Sequence, residues 1–507
     1  MTESKDKKKD PDLYKKAVKG GGWVFAIRVI TQLLSIGRYI LIMNILEVKD
    51  MGLLGIAFLM IQTLNTFSNT GFNVALIQKK NDARSYLNTV WTVGIIRAFV
   101  LFAILYFAAP IFVNLKNIPS QEASLTISVI RVLGMSFFIG ALNNIGVIYF
   151  KKDLQFHKQF VFQILPNLIG IAVSVILVFV FENVWSLVLG RMSANIFRCI
   201  ISYATHPFRP KFKLQVEKAK ELWGFGKWVF GATIVSFLLT QGDDFFVWIY
   251  LDATALALYQ AAYKFSNIPA TEISHVISQV SFPAYSKIQN DIPRTRDAYF
   301  KIFQFSSCLS IPVAALIFIL TPEFVTIFLK PEWYPMIPVM QMLAIFGMLR
   351  SLAATAGPVY QAVGRPDIVT KSSFVKLVFL AIIIYPLTQR WGIVGTCGAI
   401  LIAEIMIRPT VLYLLTKLLK CGLLRFVRIV SFPLTATILM LSFLMLIKKL
   451  WPMPNIGGLI ILALGGLAVY IMALVLLDCF FGYGIIKIIK EIMAAIAIPR
   501  SLKLNRK

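Results

Sequence analysis

Basic residues inside long apolar stretches are the first residues in this sequence that could do chemistry. Arg28 and Arg38 lie ten residues apart, close to three helical turns, and therefore share one face of a helix. An arginine binds phosphate oxygens in pairs, so the group predicts a cationic cavity that holds an anionic headgroup. The alternative is that these side chains snorkel at span ends or form structural ion pairs. The predicted substrate-binding cations are Arg28, Arg38, Arg97, Arg131 and Lys264.

Acidic residues and one histidine form a second group in two later apolar stretches. The candidates for ion coupling are Asp243, Asp244, Glu272 and His275. Asp243 and Asp244 project about 100° apart on a helix, so at most one points directly into a lumen. They pair with the arginines, bind a coupling proton or sodium ion, or are simply hydrated near a span end. Glu272 and His275 are three residues apart and form either a proton relay or a structural pair.

Other polar residues in the apolar stretches have both structural and functional interpretations. Glu404 and Arg408 have the i, i+4 spacing of an intrahelical ion pair, which favours a structural role. Arg350 and Lys376 are weaker candidates for the cavity. The amides and hydroxyls of residues 62–73 line a wet cavity or hold helices together.

The sequence lacks the motifs of nucleophilic, zinc and nucleotide chemistry. It contains three histidines, and its five cysteines form no CxxC pair. We therefore expect a protein that is not an enzyme and that has no catalytic residue, no cofactor and no metal site.

Composition indicates which elements must position these residues. Of the 507 residues 58% are hydrophobic and 15% are charged, whereas a soluble domain has about 25% charged residues. Apolar stretches of the ~20 residues that a helix needs to cross a bilayer recur throughout, without the alternation of barrel strands. The sequence predicts an all-α polytopic membrane protein with about fourteen transmembrane helices.

Charge in the loops predicts the orientation of these helices. Basic residues concentrate in loops after the even-numbered spans, such as 78–84, 151–158 and 209–220. Loops after the odd-numbered spans are short and mostly neutral or acidic. This positive-inside pattern predicts that both termini are cytoplasmic. It also explains the net charge of +27 without a nucleic-acid partner.

A weak internal repeat divides the chain into two halves of the same orientation. The offset that pairs Trp23 with Trp228 also pairs Leu46 with Leu251. Parallel repeats of this kind are a known transporter plan. The KFKLQVEKAKELW stretch (211–223) of the linker between the halves is either an amphipathic helix on the inner leaflet or a solvated connector. The predicted segments are a cytoplasmic basic tail (1–20), an N-terminal six-helix bundle (21–204), the cytoplasmic linker (205–222), a pseudo-symmetric C-terminal six-helix bundle (223–417), helices 13 and 14 (418–484) and a cytoplasmic basic tail (485–507).

Five segments carry a family pattern, which is strongest over residues 20–160. They are GWVFAIRVITQLLSIGRYI (22–40), LEVKDMGLLGIA (46–57), FSNTGFNVALIQKK (67–80), AAPIF (108–112) and YFKKDLQF (149–156). Together they resemble the polysaccharide transporter family of the multidrug/oligosaccharidyl-lipid/polysaccharide (MOP) flippase superfamily. The motifs are diffuse and apolar, so they indicate the family and not the substrate.

The resemblance implies a MATE-like fold of two six-helix bundles around a central cavity, with two further C-terminal helices. It implies a Wzx-type flippase that moves undecaprenyl-diphosphate-linked oligosaccharide repeat units to the outer leaflet of the bacterial inner membrane. The product would be O-antigen, capsule or exopolysaccharide, and the mechanism would be alternating access, with or without ion coupling. Expected partners are the lipid-linked oligosaccharide and membrane lipids, with a polysaccharide polymerase and a chain-length regulator as further candidates.

Three other functions stay open on the sequence. A MATE-type antiporter of drugs or organic cations needs an acidic cavity, which Asp243, Asp244 and Glu272 could supply. The arginines of spans 1, 3 and 4 argue against that function. A lipid II flippase for peptidoglycan is the second alternative. A membrane scaffold without transport activity is the third.

Overall fold

The computed structural model describes residues 30–78, 83–114, 120–153, 155–267, 281, 285, 288–451 and 455–484. Within these ranges the regular secondary structure is helical and contains no strand. Nine helices of the described chain are long and apolar enough to cross a membrane. The predicted all-α membrane fold is confirmed, whereas the number of fourteen transmembrane helices stays a prediction.

The described helices form two compact units that divide after Ala257. We call them the N-terminal unit and the C-terminal unit. The N-terminal unit contains α1 (Ile30–Ile45), α2 (Val48–Phe67), α3 (Phe72–Gln78), α4 (Leu87–Asn114), α5 (Ser120–Gly134), α6 (Ser136–Ala141), α7 (Ile148–Lys152), α8 (Phe156–Phe181), α9 (Trp185–Thr205) and α10 (Val216–Tyr250). Helix α11 (Ala253–Ser266) crosses the division, and the C-terminal unit continues with α12 (Ile292–Phe328), α13 (Met336–Ala354), α14 (Ala356–Ala362), α15 (Pro366–Leu419), α16 (Leu424–Leu450) and α17 (Ile456–Phe481).

Two predicted spans are interrupted in the structure. The stretch 52–77 divides into α2 and α3 at a turn in which Gly71 has a φ of 68°, a left-handed conformation that favours glycine. The stretch 123–149 is interrupted between α5 and α6 and again before α7. The side chain of Asn144 caps the second interruption, because its Oδ1 accepts the N–H of Gly146 at 2.9 Å.

Small residues allow α8 and α9 to approach closely. A β-carbon added to Gly190 would collide with the Ser174 hydroxyl and the Gly170 carbonyl. In a bilayer, such small residues let helices pack backbone to backbone where lipid offers no hydrophobic driving force. Helix α9 therefore braces α8, which contributes to the cavity described below.

Helix α15 is a hairpin of two arms. The Nζ of Lys376 lies 2.5 Å from Oε2 of Glu404, whereas a straight helix would separate these residues by about 42 Å. The chain reverses at Gly392, whose φ is 56° and whose ψ is −136°. The two arms correspond to the predicted spans 368–388 and 391–417.

The segment between α9 and α10 is extended and packs on α4. The backbone N–H of Lys211 donates to Asn88 Oδ1 at 2.9 Å, and that of Lys213 donates to Thr92 Oγ1 at 3.1 Å. Helix α10 then begins at Val216. The first residues of the predicted KFKLQVEKAKELW stretch are thus extended and packed on α4, and the stretch is helical from Val216 onward.

The boundary between the two compact units lies later in the chain than the predicted linker. Helix α10, which sequence analysis assigned to the C-terminal bundle, packs against α2 and α3. The structure therefore groups α10 with the N-terminal unit by contact. The repeat-based domain bounds stay a prediction.

Candidate functional site

A cavity of about 520 Å³ lies within the N-terminal unit. Its walls come from α2, the turn after it, α3, α4, α6, the turn before α7, α7 and α8. Among the described residues that line it, Arg97 carries the one charged side chain. Carboxamides dominate the rest of the polar lining, and they are Asn65, Asn69, Asn73, Asn143, Asn144, Gln159 and Gln163.

The break between α2 and α3 builds one wall of this cavity. Asn69 Oδ1 accepts the backbone N–H of Gly71 at 3.0 Å, which stabilises the turn. Asn65, Asn69 and Asn73 belong to the polar run 62–73 that stood out in the sequence, and all three line the cavity. Of the two interpretations of that run, lining a cavity therefore applies to these three residues.

Arg97 is held in place on α4 by neighbouring polar groups of α2 and the turn that follows. Its Nε donates to Ser68 Oγ at 2.9 Å. Its Nη2 donates to the backbone oxygen of Asn65 at 3.1 Å and to Asn65 Oδ1 at 2.9 Å. Nη1 makes no hydrogen bond within the described residues, so one edge of the guanidinium is available to a ligand.

Two polar atoms of the cavity wall are buried without a hydrogen-bond partner in the described chain. They are the indole Nε1 of Trp91 and the amide Oδ1 of Asn143. Asn144 differs from Asn143, because its Nδ2 donates to the backbone oxygens of His206 and Phe208 at 3.1 and 2.6 Å. Asn144 therefore fixes the wall, whereas Trp91 Nε1 and Asn143 Oδ1 make no hydrogen bond within the described chain. Sequence analysis missed Trp91.

Arg38 and Arg131, two further predicted cations of the N-terminal unit, are not among the described residues that line this cavity. Arg38 is half-buried on α1, and its Nε has no hydrogen-bond partner in the described chain. The guanidinium of Arg131 lies 4.1 Å from the ring centroid of Tyr106, a cation–π contact. Their part in substrate binding stays a prediction, and Arg28 lies outside the described residues.

Two arginines of α9 were missed by sequence analysis. Arg191 is close enough to Arg38 for their charges to repel, and Arg198 Nη2 donates to Asn167 Oδ1 at 2.9 Å. Arg191 and Arg198 are seven residues apart, so they lie two turns apart on one helix face. That spacing is the signal that could have revealed them.

The adjacent acids of α10 are buried in the N-terminal unit. Asp243 is 5% exposed and Asp244 is 8% exposed, which excludes simple hydration at a span end. Asp244 lies within electrostatic range of Tyr39 on α1. Their role in ion coupling stays a prediction, as does that of Glu272 and His275, which lie outside the described residues.

The C-terminal unit places its charged residues in two groups. Lys264 is half-buried on α11, one residue after Tyr263, whose hydroxyl accepts a hydrogen bond from Arg350 Nη1 at 2.8 Å. Glu404 is 2% exposed and pairs with both Lys376 and Arg408. The predicted ion pair between Glu404 and Arg408 is confirmed, and Lys376 extends it across the α15 hairpin.

Two curated proteins are similar to the chain over most of its length. The chain is 22% identical to the teichuronic acid biosynthesis protein TuaB of Bacillus subtilis (strain 168) over 360 residues, which covers 71% of this chain and 74% of TuaB. It is 22% identical to the lipopolysaccharide biosynthesis protein WzxC of Escherichia coli (strain K12) over 396 residues, which covers 78% of this chain and 80% of WzxC.

Solved structures show the same fold. The lipid II flippase MurJ in an inward closed conformation aligns with a TM-score of 0.73 at 17% identity, covering 89% of this chain and 98% of MurJ. An inward-facing multidrug resistance MATE family transporter of the MOP superfamily aligns with a TM-score of 0.59 at 14% identity, covering 79% of this chain and 95% of that transporter. The predicted MATE-like helical fold is therefore confirmed.

A family match agrees with the resemblance found in the sequence. Residues 41–338 match the family described as polysaccharide biosynthesis protein. The match covers more than half of the 507 residues, and it includes every residue that lines the cavity. The chain therefore belongs to this polysaccharide biosynthesis protein family.

Proposed function

We propose that this protein is a flippase for undecaprenyl-diphosphate-linked oligosaccharide repeat units. It moves them across the bacterial cytoplasmic membrane for the biosynthesis of O-antigen, capsule or exopolysaccharide. Family membership and the names of the relatives TuaB and WzxC support the pathway. The observation that carries the substrate class is the cavity in which Arg97 is surrounded by carboxamides.

The chemistry of the substrate fits this lining. A diphosphate is anionic, and its sugars are rich in hydroxyl groups, so hydrocarbon alone cannot carry the headgroup across. Arg97 offers Nη1 to a phosphate oxygen while Asn65 and Ser68 keep its guanidinium oriented. Carboxamides donate and accept hydrogen bonds, and they replace the water that a sugar loses.

Transport proceeds by alternating access in this proposal, as the MurJ and MATE folds support. Asp243 and Asp244 are the candidates for a coupling proton or sodium ion, together with Glu272 and His275. Arg28, Arg38, Arg131 and Lys264 are further candidates for contact with the diphosphate. The termini lie in the cytoplasm, and a polysaccharide polymerase and a chain-length regulator are candidate partners.

A drug or organic-cation antiporter is the less favoured function. Such a protein needs a cavity that attracts cations, whereas no acidic side chain is among the described residues lining this cavity. A lipid II flippase is the alternative that the MurJ fold raises, and the phenotype of a deletion distinguishes it. Loss of such a flippase stops peptidoglycan synthesis, whereas loss of this protein removes a surface glycan.

The test is a polysaccharide profile of a strain from which the gene has been deleted. We expect the surface polysaccharide to disappear, lipid-linked repeat units to accumulate and the peptidoglycan to be unchanged. Re-expression of the full chain should restore the polymer. A deletion strain that keeps its surface polysaccharide, or one that becomes sensitive to drugs without a glycan defect, would contradict the proposal.

A further inference from the structure

The cavity of the N-terminal unit contains hydrogen-bonding capacity that the fold itself does not use. Trp91 is 7% exposed, yet its indole N–H has no partner in the described chain. The Oδ1 of Asn143, also in the wall, is likewise buried and unpartnered. Buried donors and acceptors nearly always have partners in folded proteins, so an unpartnered pair in one cavity points to a ligand.

The lining identifies the chemistry of that ligand. One donor and one acceptor, beside further carboxamides, match a hydroxyl-rich neutral molecule, because each hydroxyl both donates and accepts. The rings of Phe137 and Phe162, which also line the cavity, provide apolar surface for the C–H faces of a sugar ring. The cavity volume of about 520 Å³ falls in the range of roughly 300–1,000 Å³ typical of small-molecule sites.

The position of Arg97 gives this cavity two chemically distinct ends. Trp91 and Arg97 are six positions apart on α4, which corresponds to about 9 Å along the helix axis. Val90, Gly94 and Arg97 follow one another at helical spacing and all line the cavity, as Trp91 does. A ligand that spans this distance meets neutral hydrogen-bonding groups near Trp91 and a cation at Arg97.

We propose that this cavity is a glycan subsite, in which the Trp91 N–H and the Asn143 carbonyl bind hydroxyl groups of a neutral sugar. Arg97 holds the adjoining anionic group of the same molecule. The inference rests on the proposed flippase function and adds the residues that recognise the sugar portion. In this proposal Trp91 and Asn143 recognise the glycan, whereas Arg97 contacts the anionic group.

Trp91→Phe is the variant that isolates this role. It keeps an aromatic ring and removes an N–H that bonds to no group of the described protein. Because this N–H makes no hydrogen bond within the fold, we expect no loss of thermal stability, and removal of an unpartnered buried donor can even stabilise a fold. A ligand-binding role predicts a loss of affinity. Trp223→Phe is the matched control, because Trp223 is 43% exposed and does not line the cavity.

The experiment is calorimetric titration of the purified full chain in lipid nanodiscs with two probes. One probe is the lipid-free oligosaccharide repeat unit released from the surface polysaccharide of the producing strain, and the other is inorganic pyrophosphate. For Trp91→Phe and Asn143→Leu we expect about three- to tenfold weaker binding of the oligosaccharide and unchanged binding of pyrophosphate. Arg97→Ala should weaken binding of pyrophosphate, and Trp223→Phe should bind both probes as the wild type does.

Two results would overturn the glycan subsite. One is wild-type affinity of Trp91→Phe for the oligosaccharide, and the other is no measurable binding of the oligosaccharide to the wild-type chain. Thermal unfolding of Trp91→Phe at or above the wild-type temperature confirms that a loss of affinity does not come from misfolding. The proposed flippase function is tested separately, by the polysaccharide profile of the deletion strain, so the two proposals can fail independently.

Discussion

Arg97 brings a partly oriented guanidinium to the cavity, and its replacement tests the substrate class. Arg97→Ala should lower polymer export by about tenfold or more, because hydrogen bonds to charged groups contribute about 1.5–3 kcal/mol. Arg97→Lys keeps the charge but loses the planar pair of donors, so it should retain part of the activity. The measurement is surface polysaccharide per cell at matched protein levels in the membrane.

Arg425→Ala is the control for this prediction. The Arg425 guanidinium pairs with Asp297 at 3.1 Å, and both side chains are about half exposed. Its removal should leave export unchanged, since exposed ion pairs contribute little to stability. Normal export by Arg97→Ala at a normal protein level would remove Arg97 from the transport path.

His206 predicts a pH dependence of stability. Burial, followed by Lys158, Arg209 and Arg84, lowers the pKa of His206 below its ordinary value of 6.5, while Asp153 acts weakly in the opposite direction. Its Nδ1 also accepts the backbone N–H of Phe208 at 3.2 Å, which requires that nitrogen to be unprotonated. The unfolded chain thus binds a proton more readily than the folded one does.

Stability that depends on neutral His206 is therefore fully present above pH 6.5 and is lost as the pH falls toward the lowered pKa. We expect the thermal unfolding temperature of the wild type to fall over this interval. His206→Gln should reduce that fall, and His157→Gln, which changes an exposed histidine of α8, should not. An identical pH dependence in His206→Gln and the wild type would contradict this interpretation.

Sequence alone could indicate some of these residues. Arg97 stands out because a cation in an apolar stretch is costly unless it faces a polar interior. Trp91 does not stand out, because tryptophan is common in membrane helices and its N–H usually finds a partner. The missing partner is evident only when α2, α4 and α6 are packed together. The residue type alone indicates a charge, whereas a hydrogen-bonding group without a partner can be recognised only in the three-dimensional structure.

Among the elements, the α15 hairpin depends on a buried carboxylate. Glu404 neutralises Lys376 on the first arm and Arg408 on its own arm. We expect Glu404→Gln to destabilise the protein by about 3 kcal/mol, the lower end of the cost of breaking a buried ion pair, because it leaves two half-buried cations without a counter-charge. Lys376→Met should cost less, since Arg408 still pairs with Glu404. The comparison is the unfolding midpoint of both variants in detergent, and a greater loss in Lys376→Met would be inconsistent with this explanation.

The predicted helix boundaries agree with the structure best where a polar or glycine-containing turn interrupts the apolar sequence. The chain reverses at Gly392, the second residue of the predicted span 391–417 and two residues after the predicted gap at 389–390. The turn at Asn69–Gly71 was hidden inside one predicted span, because apolar residues on both sides kept the average hydropathy high. That turn carries cavity residues, which the polar run 62–73 indicated although the break in the helix was missed. Hydropathy averages over about 20 residues and does not detect a four-residue turn.

At the scale of the whole molecule, composition predicted the membrane class and the family motifs predicted the fold. Charge and polarity change at the linker 205–222, which predicts the division between the two six-helix bundles there, and those bundle bounds stay a prediction. The compact units defined by contact divide after Ala257, because α10 packs on α2 and α3. Packing between helices that are distant in sequence leaves no local sequence pattern. An internal repeat indicates which segments are related, but it does not predict which helices contact each other.

The most direct test of the flippase function is translocation in reconstituted vesicles. The full chain is placed in liposomes that contain a fluorescent undecaprenyl-diphosphate-linked repeat unit, and a membrane-impermeant quencher reports the outer-leaflet fraction. We predict that nearly all of the probe becomes accessible to the quencher with the wild type and that Arg97→Ala slows this by about tenfold. Quenching that stops at the outer-leaflet half, as in protein-free vesicles, would contradict the proposed function.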